Sequence, residues 1–137
     1  MTSINLDRLA AEHAQQMVSN LEKDNKSVAV LERLVTKTLG VLQAQGVYAM
    51  MLYLWSRSGD ENKIAPVIRN ECYALIKELP DFSGITVPEE KSDDKTTLKF
   101  YSSDAVQKID TLLLIRDLYE QTLIYARYGA KSASKEK

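Results

Sequence analysis

The sequence predicts an all-α bundle, and three observations carry that prediction. Apolar residues recur at i, i+3, i+4 and i+7 over long stretches, the pattern of amphipathic helices. Glycine (5) and proline (3) together make up 8 of 137 residues, too few for a turn-rich β design. Two apolar runs, 27–45 and 47–55, meet at the single residue Gly46, as in a helical hairpin. The expected architecture is about five helices with a long last helix and one long acidic loop, forming one domain over 1–130 with a disordered tail over 131–137.

The first helix is expected over about 5–22, on Leu6, Leu9, Ala10, His13, Met17 and Leu21, with Asn5 or Ser3 as N-cap. The second follows over about 27–45 on Val28, Leu31, Val35, Leu39 and Leu42, and Gly46 supplies the left-handed residue that often ends a helix. A third, over about 47–57, is apolar nearly all round and should be buried, with Leu52 and Trp55 at the centre of the fold. Arg57 to Asp60 turn the chain into a fourth helix on Ile64, Ile68, Cys72, Leu75 and Leu79, where Pro66 is tolerable only in or before the first turn. From Pro80 to about Ser102 the period fails. Phe82, Ile85, Val87, Leu98 and Phe100 should anchor the two ends of that loop around a mobile middle, Glu89 to Thr97. The last helix is expected from Ser103, with Asp104 and Gln107 spaced as a capping box, to Gly129, roughly 39 Å at about 1.5 Å per residue.

Composition bounds the function. A formal charge of −1 and a pI near 5.9 give no global attraction for nucleic acid, so a polyanion would need a local basic patch. No apolar run nears the roughly 18–20 residues that span a bilayer, and no basic-then-apolar segment opens the chain, so a cytoplasmic protein is expected.

Candidate chemistry is sparse. Cys72 lies on an apolar helix face and reads as a buried, inert thiol. The single histidine, His13, falls between Leu9 and Met17 and reads as a packed or interface residue; neither a metal cluster nor a serine triad can be built around it. Glu89-Glu90 and Asp93-Asp94 lack the spacing of a calcium loop, and the scattered glycines form no phosphate-binding motif. No catalytic residue, cofactor or metal is expected.

Surface charge is more informative. On the second helix Lys26, Arg33 and Lys37 share the face opposite Leu31, Val35 and Leu42, a face with no acid of that helix on it. On the fourth, Arg69, Tyr73 and Lys77 follow at i, i+4 and i+8. Basic groups with an interleaved aromatic ring suit an RNA backbone and a stacked base. The same stripes also read as ordinary solvated faces. On the last helix Asp110, Asp117 and Glu120 cluster on one side, so copies of the chain could associate head to tail, acidic face to basic face.

The order of these features resembles a known family. Leu6-Asp7-Arg8-Leu9-Ala10-Ala11-Glu12-His13-Ala14, the junction from Leu42-Gln43-Ala44-Gln45-Gly46 to Val47-Tyr48-Ala49-Met50-Met51-Leu52-Tyr53-Leu54, and Leu114-Ile115-Arg116-Asp117-Leu118-Tyr119-Glu120 leading to Tyr125-Ala126-Arg127-Tyr128-Gly129 are similar to the small all-helical subunit of type III-B (Cmr) CRISPR effector complexes. The first helix is less basic than usual there, and the acidic loop is longer. The resemblance implies a non-catalytic, RNA-binding subunit without a cofactor. It would stack in more than one copy along the guide RNA and target RNA duplex, beside the other subunits of the complex. The alternative is a protein-only helical adaptor whose partner site is Leu113, Leu114 and Leu118.

Overall fold

Asn5 starts the first helix as expected: its side chain accepts a hydrogen bond from the Arg8 N–H at 3.0 Å. The computed structural model describes residues 5–135, which form seven α-helices and one 3-10 turn with no strand among them. The alternative cap, Ser3, lies outside the described residues.

Helix α1 (Leu6–Ser19) buries Ala10, Ala14, Met17 and Val18 and stops three residues short of the expected end. Asp24 caps α2 (Asn25–Gln45) through the Lys26 N–H at 3.1 Å and the Ser27 hydroxyl at 2.9 Å. Gly46 has φ 100°, donates its N–H to the Leu42 carbonyl at 2.9 Å, and lets α3 (Val47–Trp55) begin at the next residue. That φ is one that side chains rarely tolerate.

Helix α3 corrects an expectation. Val47, Met50, Met51 and Leu54 are buried, but Leu52 is 49% exposed, Tyr48 is exposed and Trp55 is only part-buried. Lack of a polar face does not supply neighbours on every side. Packed on α2, α4, α5 and, more lightly, α7, the nine-residue helix still leaves the Tyr48–Leu52 side open.

Helix α4 (Glu61–Lys77) starts ahead of its apolar period, so Pro66 sits in the second turn rather than the first. It withholds one donor, from the Asn62 carbonyl; Asn62 is exposed, where water can replace that bond. A turn at Pro80–Phe82 follows. The expected mobile middle is in part a helix, α5 (Asp94–Tyr101), capped by the Asp93 side chain on the Thr96 N–H at 2.8 Å, with Thr97, Phe100 and Tyr101 buried. Of the five expected anchors Phe82, Val87 and Phe100 are buried, Leu98 is part-buried, and Ile85 is exposed.

The expected last helix is two. Helix α6 (Asp104–Gln107) ends at Lys108, whose φ −60° and ψ 131° are extended. No capping box forms, because the Gln107 amide donates to the Tyr101 carbonyl at 2.8 Å. Helix α7 (Ile109–Lys135) then runs about 40 Å for its 27 residues. It passes straight through Gly129 and takes in 131–135 of the expected disordered tail; 136–137 lie outside the described residues. Gly129 is there for proximity rather than for capping, since a Cβ on it would lie 3.2 Å from Val18 Cγ2 of α1.

Helix α7 packs along both α1 and α2, α4 also packs on both, and α1 and α2 scarcely touch. The core between them is one continuous apolar cluster. At its centre the Tyr119 hydroxyl of α7 donates to the Cys72 carbonyl of α4 at 3.0 Å and stands 2.6 Å from the Tyr101 hydroxyl. With its one proton given to Cys72, Tyr119 accepts from Tyr101. Burial drives both phenols well above their ordinary pKa.

Candidate nucleic-acid interface

The α2 stripe lies where α2 meets the start of α4. Arg33 reaches Asp60 at 2.9 Å and Glu61 at 3.1 Å, and Lys37 reaches the same Glu61 oxygen at 3.0 Å. Arg57 adds a third cation at 3.4 Å, its guanidinium 3.8 Å over the Tyr53 ring. Burial alone would raise the Glu61 carboxyl, but hydrogen bonds from Lys37 and Arg33 outweigh it, and its pKa lies below the usual range. The face expected to be purely basic therefore holds two acids, supplied by residues 24 to 28 positions away. Own-helix periodicity cannot show them. The side chains of Arg33 and Lys37 remain nearly half exposed. Lys26 and Lys63, with Asp24 and Asp60, line a shallow depression alongside, and neither lysine has an ion-pair partner among the described residues. Five cations against three acids leave this corner net positive.

The α4 stripe does not form a surface row. Tyr73 is 3% exposed, covered by α5, and its hydroxyl lies 3.0 Å from Thr97 Oγ1. It cannot stack a base. Helix α5 is the element that sequence periodicity does not show, and its Thr97 is what meets the Tyr73 hydroxyl. Arg69 lies with its guanidinium 3.6 Å over the Trp55 ring. Burial draws its pKa down, with the Tyr73 phenol opposing, and no carboxylate among the described residues pairs with it. Trp55 Nε1 is buried without a hydrogen-bond partner. Lys77 is half exposed, 3.7 Å from Glu89, at the edge of an open depression of about 860 Å³ that also includes Lys99.

On α7, Asp110 and Asp117 are exposed, while Glu120 is part-buried and accepts from the Gln43 side chain at 2.8 Å. Glu120 thus ties α7 to α2. The adaptor site splits likewise: Leu118 is buried, Leu114 packs on the core, and Leu113 is 50% exposed.

His13 joins α1 to α4. Its Nδ1 is 2.7 Å from Glu71 Oε1, and its Nε2 also meets Glu78 Oε2. With both carboxylates ionised, only the imidazolium can donate to both, and the Glu71 bond raises the His13 pKa against the opposing effect of burial. Both ring nitrogens are committed to this clamp, which leaves no lone pair for catalysis or a metal. Cys72 is fully buried and burial pushes its thiol pKa far up.

Among the described residues no group of three His, Cys, Asp or Glu side chains could hold a metal ion, and no helix is long and apolar enough to cross a membrane. The chain has no significant match among protein-family models, curated proteins or solved structures.

Proposed function

We propose that the chain is the small, non-catalytic subunit of a type III-B (Cmr) CRISPR ribonucleoprotein, stacking along the guide RNA and target RNA duplex in antiviral defence in the cytoplasm. The observation that carries this reading is where the three family-like stretches fall. Residues 6–14 form most of α1, 42–54 form the α2–α3 corner with its positive-φ glycine, and 114–129 form the middle of α7, on which α1 packs. Each is framework rather than loop. The positive corner around Glu61 adds a surface suited to phosphates, which attract Lys and Arg without regard to sequence.

Lys26→Glu with Lys63→Glu tests the RNA contact. Reversing Arg33 or Lys37 instead would set carboxylates against Glu61 and confuse binding with folding. In the assembled particle the double variant should bind target RNA more weakly, with a flatter dependence on salt. Parental affinity at every salt concentration would remove the RNA role. A protein-only adaptor is then the better reading, and the exposed Tyr48, Leu52, Ile109 and Leu113 favour it; binding through them should hardly respond to salt.

A further inference from the structure

Between the turn at Pro80–Phe82 and α5 the chain crosses from Ser83 to Asp93 without a helix or strand. It is here that its loop is longer than in the family it resembles. The crossing is nonetheless fixed in place. Val87 (7% exposed) and Pro88 are buried, and the ring of Pro88 restricts Val87 to extended backbone. Its backbone groups are largely unused: the N–H groups of Thr86 and Val87, and the carbonyls from Ser83 to Pro88, make no hydrogen bond among the described residues. An anchored, extended segment with unpaired donors and acceptors is the edge of a sheet that lacks its second strand.

That edge borders the open depression of about 860 Å³, which also takes in the exposed Ile85 side chain and Lys99 of α5. Two lysines and one carboxylate line it. Glu89 stands 3.7 Å from Lys77, and Lys99 has no ion-pair partner among the described residues. Asp93 and Asp94 do not offset Lys99, because they accept from the first N–H groups of α5, Asp93 from Thr96 at 2.8 Å and Asp94 from Lys95 at 2.9 Å. We propose that an extended peptide segment of another protein, carrying one Asp or Glu two residues from an apolar side chain, pairs with this edge. Its backbone bonds to the Thr86–Val87 stretch, its apolar side chain lies on Ile85, and its carboxylate meets Lys99. Side chains two apart in an extended chain face the same way, which sets the spacing. Charge and backbone together select this occupant: one uncompensated cation calls for one carboxylate, and an unpaired edge calls for a strand. The edge is also short, since Pro88 has no N–H to give and Gly84 turns the chain at φ 80°, so it takes one peptide and seeds no larger sheet. On this assignment Lys99 serves a protein contact rather than a phosphate. The proposal goes beyond the RNA-complex reading and does not depend on it.

The test uses the chain alone, without RNA, so its failure leaves incorporation into a ribonucleoprotein untouched. The probe is a random linear heptapeptide library displayed on phage and selected on the immobilised chain. The recovered peptides should share one Asp or Glu two residues from an apolar residue. The strongest of them, made synthetically, should shift the amide signals of residues 84–88 and of Lys99 in heteronuclear NMR spectra. With peptide at saturation, the Thr86 or the Val87 amide should exchange with solvent at least about tenfold more slowly. Lys99→Glu changes an exposed side chain without an ion pair, so circular dichroism should show the fold intact. That variant should bind the peptide at least about tenfold more weakly, and it should prefer the peptide whose acid is replaced by Lys. Methylating the peptide's backbone N–H groups should abolish binding to the parent. A library that yields no such pattern overturns the proposal, as does a peptide that binds Lys99→Glu like the parent or leaves both amides unprotected.

Discussion

The Tyr73 hydroxyl lies 3.0 Å from Thr97 Oγ1 in a buried contact between α4 and α5. This one bond turns a stripe that looks like surface into part of the core. Tyr73→Phe should leave the Thr97 hydroxyl buried and unpaired, costing about 1 to 2 kcal/mol. Chemical denaturation measures it. RNA affinity should not change, whereas a stacking role for Tyr73 would show there first.

Trp55→Ala should cost about 2 kcal/mol, because the ring is part-buried and also loses its contact with Arg69. A fully enclosed tryptophan would cost about 3 to 5 kcal/mol, and a measured value in that range would return Trp55 to the centre of the fold.

How much of this was legible follows from where the information lies. The four long helices and the Gly46 corner show in the sequence because each depends on local period and one residue's φ. Helix α5 did not show, since an eight-residue helix with only Leu98, Phe100 and Tyr101 as apolar residues carries too little period. Gly129 misled because a glycine ends a helix in one context and admits a neighbour in another, and only Val18 across the interface tells which. The positive charge of Arg33 and Lys37 shows in the sequence, but Asp60 and Glu61, which meet them, lie at the start of another helix. Arg69 is the converse case, since nothing in its spacing distinguishes it from Arg33, yet only Arg33 has carboxylates.

Glu61→Ala should destabilise by about 2 kcal/mol, since it leaves Arg33, Lys37 and Arg57 crowded with only Asp60 to offset them, though water screens the half-exposed Arg33 and Lys37. Because the folded Glu61 pKa is lowered, its contribution is present above the unfolded carboxylate pKa and lost as pH falls through the folded value. Urea titrations on the acid side should therefore separate parent from variant less and less as pH drops.

His13 has the opposite sign. Its pKa is raised on folding, so the clamp contributes fully below the unfolded value near 6.5 and fades as pH rises through the folded value. Hydrogen exchange at α1 should speed up relative to the rest of the chain across that window. In His13→Gln the pH dependence should flatten; a profile unchanged by the substitution would mean that the clamp contributes nothing.

Native mass spectrometry decides whether the chain is part of an RNA-guided complex. The chain is co-expressed with the other type III-B subunits of its genome and a guide RNA, and the particle is purified through a different subunit. The expected result is a particle containing the guide RNA and more than one copy of this chain. A particle that assembles with guide RNA and its other subunits but excludes the chain would contradict it.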